Sequence, residues 1–113
     1  MEIPAVILAG ILRVESATEL SPFGPVRTGI VQRGSLGERG VMQVRYATFS
    51  EVCLPGEKWS DMDSNHVLAM SIGCRYLIKL HKQLGSWDKA IMAYNAGASN
   101  YKAGKKYLQK VLQ

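Results

Sequence analysis

Three short stretches carry the residue types that could do chemistry: Glu15-Ser16 at the end of an apolar run, Gly40-Val41-Met42-Gln43, and Ala93-Tyr94-Asn95-Ala96-Gly97. A carboxylic acid held among apolar and aromatic groups can protonate a glycosidic oxygen, which otherwise departs poorly as an alkoxide. The acid must stay protonated near neutral pH, and burial achieves this by disfavouring the charged form. Glu15 follows Ile11, Leu12 and Val14 on the most apolar segment of the chain, so its surroundings should hold little water. The plainer alternative is an exposed glutamate at a helix C-terminus, a place where the helix dipole disfavours it. Most glycosidases pair two carboxylates. Here the candidates for a second are Glu19, Glu38, Asp61 and Asp63, and the sequence places none of them clearly.

The elements that must position these residues read as helices. Pro4 suits a first helical turn, and Ile7, Leu8, Ile11, Leu12 and Val14 give an apolar face up to about Ala17. Thr18 to Arg39 is rich in Gly, Pro, Ser and Arg and has no clear period, which marks a long irregular connection. Val41 to about Phe49 can form a short helix, and Leu54-Pro55-Gly56 turns the chain. Asp63 and Ser64 can cap a long helix to Leu84, with Val67, Met70, Cys74, Leu77, Ile78 and Leu84 on its buried side. Gly85 stops that helix, Ser86 caps the next from Trp87 to about Ala96, and Gly97 ends it. A last helix runs from roughly Ala103 to Leu112. The expected architecture is all-α, one domain over residues 1–113.

A chain of 113 residues with 47% hydrophobic and 20% charged content fits one soluble core. The net charge of +5 lies wholly in the second half, and beyond Asp88 there are five lysines and no acid. Lys102, Lys106 and Lys110 share one helical side, with Tyr107, Leu108, Val111 and Leu112 on the other, so a solvated lysine face accounts for the charge without a ligand. No specific nucleic-acid reader is expected, since arginine and amide side chains are not gathered on one element. Cys53 and Cys74 with His66 and His81 match no metal-ligand spacing, so neither metal nor cofactor is expected. The two cysteines can pair, but free, partly buried thiols are the better reading. His81 reads as packing on the long helix, and His66 as a first-turn residue of it. The apolar run Ile3 to Leu12 is too short to span a bilayer and lacks the flanks of a signal peptide.

Taken in order, the three stretches resemble the catalytic domain of lytic transglycosylases, the goose-lysozyme-like enzymes that cut bacterial peptidoglycan. The resemblance covers nearly the whole chain outside about Thr18 to Leu36. It implies a lysozyme-like fold and one catalytic glutamate, Glu15, acting as acid and then as base. It further implies that Ser16 orients the site, that Met42 shapes the sugar cleft, and that Gln43 hydrogen-bonds the glycan. Tyr94 would point its hydroxyl toward the acid, and Asn95 would hold the loop or contact the sugar. Tyr107, in Tyr107-Leu108-Gln109-Lys110-Val111, resembles the tyrosine of the family's last motif, although core packing explains Met42 and Tyr107 equally well. Asn65 matches an asparagine that opens the family's long helix, but a helix cap is the better account. The long connection departs from the family pattern and could bring Glu38 to the site. Hydrolysis of the goose-lysozyme kind, or a non-catalytic wall-binding or structural module, are the alternatives. Peptidoglycan strands are the expected partner. The absence of an export signal, if the chain is complete, favours delivery to the wall by a virion or a secretion apparatus.

Overall fold

The computed structural model describes residues 2–21, 24–27, 34 and 36–113. Helix α1 (Ala5–Ser16) starts directly after Pro4, whose carbonyl accepts from the amides of Ile7 and Leu8. It buries Ile7, Gly10, Ile11 and Leu12 and ends where Ala17 turns left-handed at φ 50°. Two short strands follow, β1 (Thr18–Ser21) and β2 (Gly24–Arg27), antiparallel with Thr18 opposite Arg27 and Ser21 opposite Gly24. The connection expected to be irregular therefore begins as a hairpin. Residues 22, 23, 28–33 and 35 of that connection lie outside the described residues.

Helix α2 (Tyr46–Val52) begins later than its apolar pattern suggests. Arg39 and Val44 exchange backbone hydrogen bonds of 2.9 and 3.0 Å, so Gly40 to Gln43 forms a tight chain reversal instead of a helical turn. A single 3₁₀ turn (Trp59–Asp61) leads to α3 (His66–Leu84). Asn65, not Asp63 or Ser64, caps α3, its side chain accepting from the Leu68 amide at 3.0 Å. Arg75 of α3 holds Glu57 with two guanidinium bonds of 2.5 and 2.8 Å, and Lys79 pairs with Glu51. Helix α4 (Trp87–Ala96) is capped by the Ser86 side chain and ended by Gly97, as its sequence indicates. A 3₁₀ stretch (Ala98–Gly104) then leads into α5 (Lys105–Leu112).

The buried stripe of α3 is Ala69, Ile72, Gly73, Leu77 and Leu80, whereas Val67 is 69% exposed. Of the side expected from spacing, only Leu77 is fully buried; Met70, Cys74, Ile78 and Leu84 are partly buried, and the buried side takes in Ala69, Ile72, Gly73 and Leu80 instead. A Cβ added to Gly73 would come within 2.4 Å of the Met42 sulfur, so the glycine is what lets Met42 seat fully buried against α3. On α5, Tyr107 and Val111 are buried as expected, while Leu112 is half exposed. Cys53 and Cys74 are unpaired and partly buried. No described helix is long and apolar enough to cross a membrane.

Helices α1 and α5 run in opposite senses, since Gly10 abuts Val111 while Glu15 reaches Tyr107. Arg13 closes the contact by donating to the carbonyls of Lys110, Val111 and Gln113 at 3.1–3.2 Å, which satisfies groups that the end of α5 leaves without helical partners. A Cβ on Gly10 would lie 2.1 Å from the Val111 carbonyl oxygen, a backbone atom that cannot swing away. Gly10→Ala should therefore lower the unfolding free energy by about 1–2 kcal/mol in urea titrations, overpacking of about 1–3 kcal/mol outweighing the ~1 kcal/mol gain in helix propensity.

Candidate active site

Glu15 is the penultimate residue of α1, and the Tyr107 hydroxyl donates to its Oε2 at 3.1 Å. Burial raises the Glu15 carboxyl to a pKa of about 7, the Tyr107 hydrogen bond opposes the rise, and the charge of Glu38 adds to it. A group with that value is substantially protonated at neutral pH and can still lose its proton there. Tyr107 itself is pushed well above the ordinary phenol range by burial and by the neighbouring carboxylate. It stays a proton donor to Glu15 at any working pH.

The Gly40 to Gln43 reversal is held from both sides through consecutive carbonyls. Ser16, next to the acid, donates its hydroxyl to the Val41 carbonyl at 2.6 Å, with the Leu12 carbonyl at 3.3 Å. Tyr94 of α4 donates to the Met42 carbonyl at 2.6 Å. Inside the turn, the backbone amide and the side-chain nitrogen of Gln43 both donate to the Gly40 carbonyl, at 3.0 and 2.9 Å. Gln43 takes a left-handed φ of 51°, sparsely populated for a side-chain-bearing residue and stabilised here by those two bonds. The Gly40 amide donates to Asp63, which also pairs with Arg39.

A cleft of about 240 Å³ opens over this assembly. Of the residues singled out from sequence, Glu15, Gln43, Tyr94 and Asn95 line it, and so does Glu38. Ser16, Met42 and Tyr107, expected in the sugar site, are not among the residues that line it. The Met42 side chain is fully buried in the core, the Ser16 hydroxyl is bonded to backbone, and Tyr107 lies beneath Glu15. The hydroxyl on the acid is that of Tyr107, while the Tyr94 hydroxyl is bonded to the Met42 carbonyl. Burial, followed by the nearby Tyr107 and Glu15, holds the Tyr94 phenol far above its ordinary range.

Arg45, Thr48 and Tyr76 also line the cleft and were missed from sequence. Tyr76 lies one turn beyond Gly73 on α3, and its ring centroid is 5.6 Å from that of Tyr94. The signal for it was its spacing from Gly73, legible once that glycine is known to face Met42. Of the other carboxylates, Asp63 is engaged with Gly40 and Arg39, and the Glu19 side chain lies outside what is described. Glu38 accepts from the Leu36 amide at 2.9 Å. Among the described residues no group of three or more His, Cys, Asp or Glu could hold a metal ion.

The raised acid has a sign in stability. Between the unfolded value near 4.5 and the folded value of about 7, the unfolded chain ionises first, so stability falls as pH rises through that window and is level above it. Glu15→Gln, which mimics the neutral acid, should match the wild type at pH 4 and exceed it at pH 8 by about 2–3 kcal/mol, read from denaturant midpoints.

Compared with protein-family models, residues 1–113 match the transglycosylase SLT domain. No curated protein and no solved structure matches the chain. The match spans the full chain and agrees with a helical, lysozyme-like fold in which one glutamate ends the first helix. On that evidence the chain belongs to the transglycosylase SLT domain family, whose members act on peptidoglycan in the manner of lytic transglycosylases.

Proposed function

We propose that the protein is a peptidoglycan lytic transglycosylase in which Glu15 alone serves as acid and base. The observation that carries this reading is a cleft carboxyl with a pKa of about 7, hydrogen-bonded to a tyrosine that stays protonated. Protonated Glu15 donates to the oxygen linking N-acetylmuramic acid to N-acetylglucosamine as the C1–O bond breaks. The substrate's N-acetyl oxygen stabilises the cationic C1. The Glu15 carboxylate then removes the proton from the muramoyl C6 hydroxyl, whose oxygen closes on C1 to give a 1,6-anhydro ring. The proton taken in the second step replaces the one given in the first, and no water is consumed. A tethered hydroxyl outcompetes solvent through its high effective molarity. Tyr107 supports the step that leaves Glu15 charged, because its hydrogen bond favours the carboxylate.

Digestion of purified peptidoglycan, with product ends identified by mass spectrometry, tests the reaction. Anhydro-muramoyl ends are expected from the wild type, with a rate loss of about 10²–10⁴ in Glu15→Gln. Reducing ends carrying one added water would instead indicate hydrolysis, with a water activated beside Glu38. Absence of products from the wild type would leave a wall-binding role.

The pH profile tests the assignment of the acid. Activity on free enzyme should fall as pH rises through about 7, where Glu15 loses its proton. Tyr107→Phe removes a bond that lowers the Glu15 pKa, so that alkaline limb moves to higher pH. Glu38→Gln removes a charge that raises it, so the limb moves to lower pH. Opposite displacements in kcat/KM profiles are the expected result.

A further inference from the structure

From Lys89 to the end of α5 the chain carries five lysines and no acidic residue. Lys89 of α4 lies over the Tyr101 ring at 5.9 Å, and Tyr101 is next to Lys102 in the 3₁₀ stretch. That stretch ends against α4, since a Cβ on Gly104 would come within 2.4 Å of the Met92 carbonyl oxygen. Lys105 and Lys106 open α5, and Lys110 follows Lys106 by about one helical turn. All five lysines are exposed, none lines the cleft, and none forms an ion pair or hydrogen bond with a described residue. Between α2 and α3, by contrast, Glu51 answers Lys79 and Glu57 answers Arg75. The lysine arrangement works against the fold. Lys105 and Lys106 stand in the first turn of α5, where the helix dipole disfavours cations and no acid offsets them. Lys106 and Lys110 are like charges four residues apart, which repel along a helix.

Positive charge that neither braces the fold nor faces the cleft is available to a polyanion. We propose that the lysine surface of α5 and the 3₁₀ stretch before it docks the protein on a phosphate-bearing polymer of the bacterial wall, a flexible chain of phosphodiester-linked polyols. A lysine ammonium binds phosphate as a compact point charge, without the planar match that arginine imposes, which suits a chain of no fixed shape. A lipid surface fits less well, because an interfacial helix needs an apolar face to bury. Here Tyr107 and Val111 are spent on the core, and of the exposed large hydrophobics only Leu112 lies on these elements. Nucleic acid fits less well too. The run from Lys89 to Gln113 has no arginine to read a base, Tyr107 is buried, and Lys89 covers the Tyr101 ring where a base would stack. The choice of a wall polymer rests on the proposed action on peptidoglycan, beside which such polymers lie, and the test separates the two.

Binding is measured by co-sedimentation with purified walls, using the Glu15→Gln protein so that the walls stay intact. One set of walls keeps its phosphate polymer, and the other is stripped with hydrofluoric acid, which cleaves phosphodiesters. Polymer-bearing walls should bind about tenfold more tightly than stripped ones. Adding Lys106→Gln and Lys110→Gln should remove that difference and make the slope of log affinity against log salt shallower by about 1.5. Lys58→Gln with Lys79→Gln removes the same charge elsewhere on the surface and should change affinity less than about twofold. Circular dichroism confirms that each variant is folded. Equal binding to both sets of walls, or equal losses from the two pairs of substitutions, overturns the docking surface. Tighter binding to vesicles of anionic phospholipid, or to duplex DNA, than to polymer-bearing walls overturns it in favour of that partner. Catalysis is scored separately, as anhydro-muramoyl ends released from stripped walls by the protein with Glu15 intact. Absence of those ends, with lysine-dependent binding retained, would sink the catalytic reading and leave the docking surface standing.

Discussion

Two hydroxyl-to-carbonyl hydrogen bonds, each 2.6 Å, hold the centre of this molecule. They tie neighbouring carbonyls of one tight turn to α1 through Ser16 and to α4 through Tyr94. The turn must be fixed because its residues serve opposite sides. Val41 and Met42 point into the core with no exposed surface, while Gln43 reaches the cleft. Backbone carbonyls at such a site need partners, and an unmade bond there would cost about 1–3 kcal/mol. Ser16 and Tyr94 supply them, and in doing so fix the distance between the acid's helix and the opposite wall.

The acid itself is set by a second contact, between α1 and α5. Gly10 against Val111 and Arg13 on the α5 carbonyls set how closely the helices approach. That approach brings Tyr107 under Glu15. Two opposed effects then meet on one carboxyl: burial favours its neutral form and the tyrosine favours its charged form. A group that must give a proton and later take one is best served by such a balance, and the cost is a fold less stable at pH 8 than it could be.

Much of the helical order was legible from sequence, for local reasons. Pro4, Ser86, Gly85 and Gly97 act on their immediate neighbours, and their roles follow from backbone chemistry alone. The expected α3 stripe took in Val67 and passed over Ala69, Ile72, Gly73 and Leu80, because which side of a helix is buried depends on what arrives opposite. Met42 arrives opposite Gly73, from a turn 31 positions away in the chain. The start of α2 was misplaced for a related reason: a left-handed Gln43 and the Arg39–Val44 pairing interrupt a pattern that looks helical.

In the site, the sequence motifs singled out Glu15, Ser16, Met42, Gln43, Tyr94, Asn95 and Tyr107, and of these Glu15, Gln43, Tyr94 and Asn95 line the cleft. The resemblance points the Tyr94 hydroxyl toward the acid, yet Tyr94 and Tyr107 both lie far from Glu15 in sequence and spacing alone does not decide between them. The tertiary structure gave that contact to Tyr107 and gave Tyr94 the turn. It likewise brought Arg45 and Tyr76 to the cleft with no motif to announce them. The sequence by itself determined residue chemistry and helical order, which depend on neighbours a few positions apart. The pKa of Glu15, the partner of each hydroxyl and the lining of the cleft depend on distances between helices, and only packing decided those.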